Sequence, residues 1–115
     1  MNMAKKLGFN KQDLKDATTF GETYSRASQD GGKGDAARHI MLGWATAQTD
    51  NPDTVYKIIT ARDVGLGLVG GEGKLGVEMD LHNNKLGFNL GKLSKEKAQK
   101  EARKLIESGE AKTIR

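Results

Sequence analysis

Cysteine is absent from the 115 residues, which removes disulfides and thiolate metal sites from consideration. Only one proline and one tryptophan occur, and the core is expected to be modest, built partly from alanine and glycine. No apolar run approaches the roughly 20 residues that a membrane-spanning helix needs. Met1 to Phe9 carries Lys5 and Lys6 with no apolar stretch behind them, so no secretory signal is expected and the chain reads as soluble. The length suits one domain covering residues 1–115.

Charge is present but unevenly placed. Residues 1–84 hold 10 Lys/Arg against 11 Asp/Glu, whereas residues 85–115 hold 9 against 4. The formal +4 of the whole chain therefore arises in the C-terminal segment. Such a segment, residues 85–115, is a candidate nucleic-acid contact, or else the solvated face of a helix.

Hydrophobic spacing predicts an all-α fold of four or five helices. Residues 10–29 carry Leu14, Ala17, Phe20, Tyr24 and Ala27 at helical spacing behind an Asn10 cap. Residues 35–49 carry a broad stripe, including Ala36, Ala37, Ile40, Met41 and Trp44, whose small members admit a close neighbour. Asn51-Pro52 starts a third helix bearing Val55, Ile58, Ile59 and Asp63. Ser94 caps a last helix that Ser108-Gly109 ends. Between Gly65 and Gly76 six of twelve residues are glycine. This stretch formally matches G-x-G-x-x-G twice, but no strand precedes it and no amphipathic helix is expected after it, so it reads as a flexible connector or lid.

The densest chemistry lies in two polar runs: Gly34-Asp35-Ala36-Ala37-Arg38-His39 and Glu78-Met79-Asp80-Leu81-His82-Asn83-Asn84-Lys85-Leu86-Gly87. Asp35 and His39 are four apart, so they stack on one helix side. Asp80 and His82 are two apart and would diverge by about 200° on a helix. They converge only if the second run is a turn, which the two asparagines favour. Asp35, His39, Asp63, Asp80 and His82 form a candidate nitrogen/oxygen ligand set for a divalent ion, zinc or manganese. A metal-free alternative makes His39 and His82 an acid/base pair oriented by Asp35 and Asp80. Arg38, Asn83, Asn84 and Arg62 are then the candidates to contact substrate. A third possibility is architectural: Asp35 as a helix cap, His39 held by a single carbonyl, and the arginines paired with Asp63 and Asp80.

These two runs resemble the D-A-x-R-H and M-D-x-H-N-N-x-x-G motifs of a small bacterial and phage domain. That domain occurs at the C-termini of secreted, wall-associated and polymorphic-toxin proteins, and alone. The resemblance covers about residues 34–110. The His/Asp/Asn chemistry reads as hydrolase-like. The resemblance, to a domain of unsettled activity, adds a toxin or phage type and a cell-envelope polymer as substrate, in a host cytoplasm or delivered with a phage or secretion system. It leaves two alternatives: a non-enzymatic interaction protein, and a ribonuclease-like protein using the basic segment. Where that domain has His-Glu between the motifs, this chain has Arg62-Asp63. A guanidinium cannot ligate an ion, so the resemblance favours a site more than it favours a metal.

Overall fold

The computed structural model describes residues 3–25, 29, 31–69 and 73–114. Among them every regular element is an α-helix. A single turn, α1 (Met3–Lys6), precedes five longer helices: α2 (Lys11–Glu22), α3 (Lys33–Ala47), α4 (Pro52–Val69), α5 (Gly73–Phe88) and α6 (Lys95–Ser108). The all-α architecture expected from spacing is therefore the one that forms.

Helix boundaries follow local chemistry. The Asn10 side chain accepts the Asp13 N–H and starts α2, and Ser94 accepts that of Lys97 and starts α6. Each satisfies a backbone donor that has no partner within its helix. Gly109 closes α6 at a φ of 86°, a left-handed conformation that costs glycine little. Helix α2 is shorter than the spacing over residues 10–29 suggests. The Thr23 hydroxyl takes the Phe20 carbonyl and the Gln29 amide takes that of Gly21, so side chains replace the next helical turn. Residues 26–28 and 30 lie outside the described residues.

Two expectations need correction. The glycine-rich stretch over 65–76 is not a long connector, because α4 continues to Val69 and α5 begins at Gly73; residues 70–72 lie outside the described residues. Nor is the run over 78–87 a turn, since all of it belongs to α5. Intrinsic preference argues against that helix, with glycine at 73, 76 and 87 and asparagine at 83 and 84. Burial overrides preference here. Met79, Asp80, Asn83, Asn84 and Gly87 are all buried, and both asparagines spend their side chains on distant groups instead of on their own backbone.

Helix α3 is the centre of the fold. It packs against α2, α4, α5 and α6, and Ala36, Ala37 and Ile40 are wholly inaccessible. Its seam with α5 is unusually tight. A Cβ built at Gly87 would sit 2.5 Å from the Ile40 carbonyl carbon and 2.9 Å from its Cα. One built at Gly43 would lie 2.9 Å from Phe88 N and 3.0 Å from the Asn84 carbonyl carbon. Both are well inside the roughly 3.5–4.0 Å of an ordinary carbon contact. The two glycines thus let the backbones of α3 and α5 touch, and the polar residues one turn away are brought together as a consequence.

Several cations of the basic segment are engaged within the molecule. Lys95 bridges Asp13 at 2.7 Å and Asp16 at 2.8 Å, tying α6 to α2. The hydrogen bonds from Lys95 and Gln12 hold the Asp16 carboxyl below its usual range, and those to Asp13 and Asp16 raise Lys95. Arg103 lies over the Phe20 ring at 4.7 Å, and Lys104 pairs with Glu101. These contacts give part of the C-terminal charge a structural use.

Candidate metal centre

Asp35, His39 and Gly43 lie at positions i, i+4 and i+8 of α3. Asp80, Asn84 and Gly87 lie at i, i+4 and i+7 of α5. At 3.6 residues per turn each set forms one column along its helix, and the glycine contact lays the columns against each other. The result is a buried group in which Asp35 is 4% exposed, His39 8% and Asp80 7%.

The imidazole of His39 has a defined partner on each side. Its Nδ1 is 2.9 Å from Asn84 Oδ1, and the Asn84 amide nitrogen donates to Asp63 Oδ2 at 2.7 Å. Its Nε2 faces Asp80 Oδ1 at 3.2 Å and Asp35 Oδ1 at 3.5 Å. Nε2 and one oxygen from each aspartate lie within 4.8 Å of one another.

Asp35 divides its carboxylate between two tasks. One oxygen, Oδ2, accepts the Gly31 N–H at 3.0 Å; the other faces His39 and the Arg38 guanidinium. Asp35 is not the cap of α3, a place taken by Gly32. It stands in the first helical turn, where a carboxylate is favoured by the helix dipole. Gly31, at φ 77°, turns its N–H toward this carboxylate.

No family model, curated protein or solved structure matches the chain.

The structure sorts the candidate residues. Asp35, His39 and Asp80 converge, with Arg38 at the edge of the group, its side chain 45% exposed. Asp63 does not join the convergent ligand atoms; it reaches the group through Asn84. Asn84, expected to contact substrate, instead holds the catalytic candidate His39. Arg62 is exposed on α4 and is one residue from Asp63, so the helical step of about 100° carries it off that face.

His82 does not meet His39. Because residues 80 and 82 share a helix, they point about 200° apart. His82 is exposed, its Nε2 2.7 Å from the Glu110 carbonyl. An acid/base pair made of the two imidazoles is thus not what the fold assembles. Asn83 also turns away from the cluster. It is wholly buried, donates to the Lys112 carbonyl at 2.8 Å and accepts the Lys112 N–H at 2.9 Å. The His82-Asn83-Asn84 run therefore has two jobs: the first two residues fasten the C-terminal strap over 110–112, and the third orients His39.

Three contributors were not legible as such in the sequence: the glycine pair, Gly31 and the strap. The signal for the first was present. Asp80 and Asn84 repeat the four-residue spacing of Asp35 and His39, with a glycine one turn on in each case.

Proposed function

We propose that the protein is a hydrolase-like domain whose reaction centre is the Asp35–His39–Asp80 group, with a divalent ion, zinc or manganese, held between its three ligand atoms. The observation that carries this reading is the convergence of one imidazole nitrogen and two carboxylate oxygens in a buried setting. Two buried carboxylates facing one imidazole make a setting that favours a cation between them, beside the Arg38 guanidinium that already meets Asp35. The donor set of one nitrogen and two oxygens suits zinc or manganese, and three protein ligands leave coordination positions for water and substrate. Arg62, which would repel an ion, is exposed on α4.

An ion held there would supply a water acidic enough to act as hydroxide near neutral pH, and a Lewis acid for the scissile bond. The protein's own contributions are positional. His39 presents Nε2 to the centre and keeps its proton on Nδ1. Asp35 and Asp80 supply the negative charge that favours a cation. Arg38, half exposed beside Asp35, is placed to attract an anionic or developing oxyanionic substrate group. A cell-envelope polymer is the proposed substrate, supported by the resemblance of the two motifs to a domain found on wall-associated and toxin proteins.

The test is metal content and hydrolysis together. Purified protein dialysed against zinc or manganese should retain about one ion per chain. It should then release soluble fragments from peptidoglycan, and Asp80→Asn should lose both properties. Retention of no ion by the wild-type chain would end the metal reading.

A second reading, an interaction protein with the cluster as scaffold, has one observation in its favour. Arg38 already pairs with Asp35, and a protonated His39 could bridge both aspartates. Under it, melting would be indifferent to added metal, and His39→Ala would cost stability without changing any hydrolytic activity.

A further inference from the structure

We infer that Asp63 and Asn84 form a positioning relay that fixes which nitrogen of His39 carries the proton. An ionised carboxylate can only accept hydrogen bonds, so the Asn84 group 2.7 Å from Asp63 Oδ2 is its amide nitrogen. That choice leaves the Asn84 carbonyl oxygen facing His39 Nδ1 at 2.9 Å. A carbonyl oxygen cannot donate, so Nδ1 carries the hydrogen. The Nε2 lone pair is thereby directed between Asp35 and Asp80.

Asn84 is 2% exposed, which leaves little room for its amide to rotate and little water to compete for these bonds. Each relay member comes from a different helix: Asp63 from α4, Asn84 from α5 and His39 from α3. The relay therefore also reports whether the three helices are in register. Metal-ligating histidines usually donate their remote N–H to a carboxylate or carbonyl, and loss of that partner costs roughly 10–100-fold in metal affinity. Here a carboxamide stands between imidazole and carboxylate, and Asp63 serves the centre without touching it. The metal part of this inference rests on the function proposed above; the tautomer part does not.

Two measurements test it. Long-range ¹H–¹⁵N spectra of the metal-free protein, under alkaline conditions where the ring carries one proton, should show His39 as the Nδ1–H form. Asn84→Leu should lose that preference and, in competition with a chelator for zinc, bind roughly 10–100-fold more weakly. The exchanged pair Asp63→Asn with Asn84→Asp keeps the net charge and the direction of the bond to His39, because residue 84 still accepts from Nδ1; the bond between residues 63 and 84 reverses, with residue 63 now donating. It should restore the Nδ1–H form and zinc affinity to within a few-fold of wild type. An Nε2–H form in the wild-type protein would overturn the relay, as would an exchanged pair as defective as Asn84→Leu. An Nδ1–H ring in a wild-type chain that binds no zinc would uphold the relay while removing the metal.

Discussion

Replacing Gly87 by alanine should be among the most damaging single changes in the molecule, although it adds only one methyl group. The new Cβ would stand 2.5 Å from the Ile40 carbonyl carbon and 2.9 Å from its Cα, with the carbonyl oxygen closer still. Ordinary carbon contacts sit at about 3.5–4.0 Å, so α3 and α5 must separate by about 1 Å. The obstacle is backbone, and no side-chain rotation relieves it. Overpacking a core costs about 1–3 kcal/mol where side chains can adjust, so a helix seam forced open should cost at least about 3 kcal/mol. For a domain of this length that corresponds to a fall in Tm of at least about 10 °C. The His39–Asn84 hydrogen bond, now 2.9 Å, would lengthen with the seam. Thermal unfolding followed by circular dichroism reads the effect directly. A loss of less than about 3 °C in Tm would show that the helices do not touch here, and the account of how the site is assembled would fail with it. Gly65→Ala provides the opposite sign. That helical glycine has nothing within 4 Å of a built Cβ, and the change should stabilise by up to about 1 kcal/mol.

Other perturbations separate the parts of the structure. His82→Ala should leave metal affinity within about two-fold of wild type while His39→Ala abolishes it, since only His39 offers a nitrogen to the convergent group; zinc competition with a chelator measures both. Asn83→Ala removes both side-chain bonds to Lys112 and should cost about 1–3 kcal/mol, with amide exchange rising first at residues 110–114. The Lys95 bridge gives a pH signature. Asp16 is held below its usual range, so its stabilising effect is complete above the ordinary aspartate pKa and fades as pH falls through the lowered value. Urea unfolding of wild type and Asp16→Asn should therefore converge as pH falls below the ordinary aspartate range of about 4. The raised Lys95 predicts a second loss only at strongly alkaline pH.

Much of the fold could be read in advance because its helices announce themselves. Asn10 and Ser94 cap where their residue types suggest, Pro52 opens α4, and Gly109 closes α6. The misreading at α5 has a physical cause. Local preference treats Asn83-Asn84 and three nearby glycines as turn formers, because nothing local shows that both amides will be consumed by Lys112, Asp63 and His39. In a turn Asp80 and His82 would converge; in the helix that forms, the pair that acts together is Asp80 and Asn84, at i and i+4. The Asp35–His39 half of the site was legible because its helix was. The strap was not, since its attachment to α5 through Asn83 and to Gly31 through the Ile114 N–H joins segments distant in sequence.

Under the function proposed above, Asp35, His39 and Asp80 hold a divalent ion. Diffraction from crystals grown with manganese, recorded where manganese scatters anomalously, tests it most directly. A single strong anomalous peak bonded to His39 Nε2 and to an oxygen each of Asp35 and Asp80 is expected, and it should disappear in Asp80→Asn. No peak at these three atoms in wild-type crystals, or a peak elsewhere alone, would contradict that function.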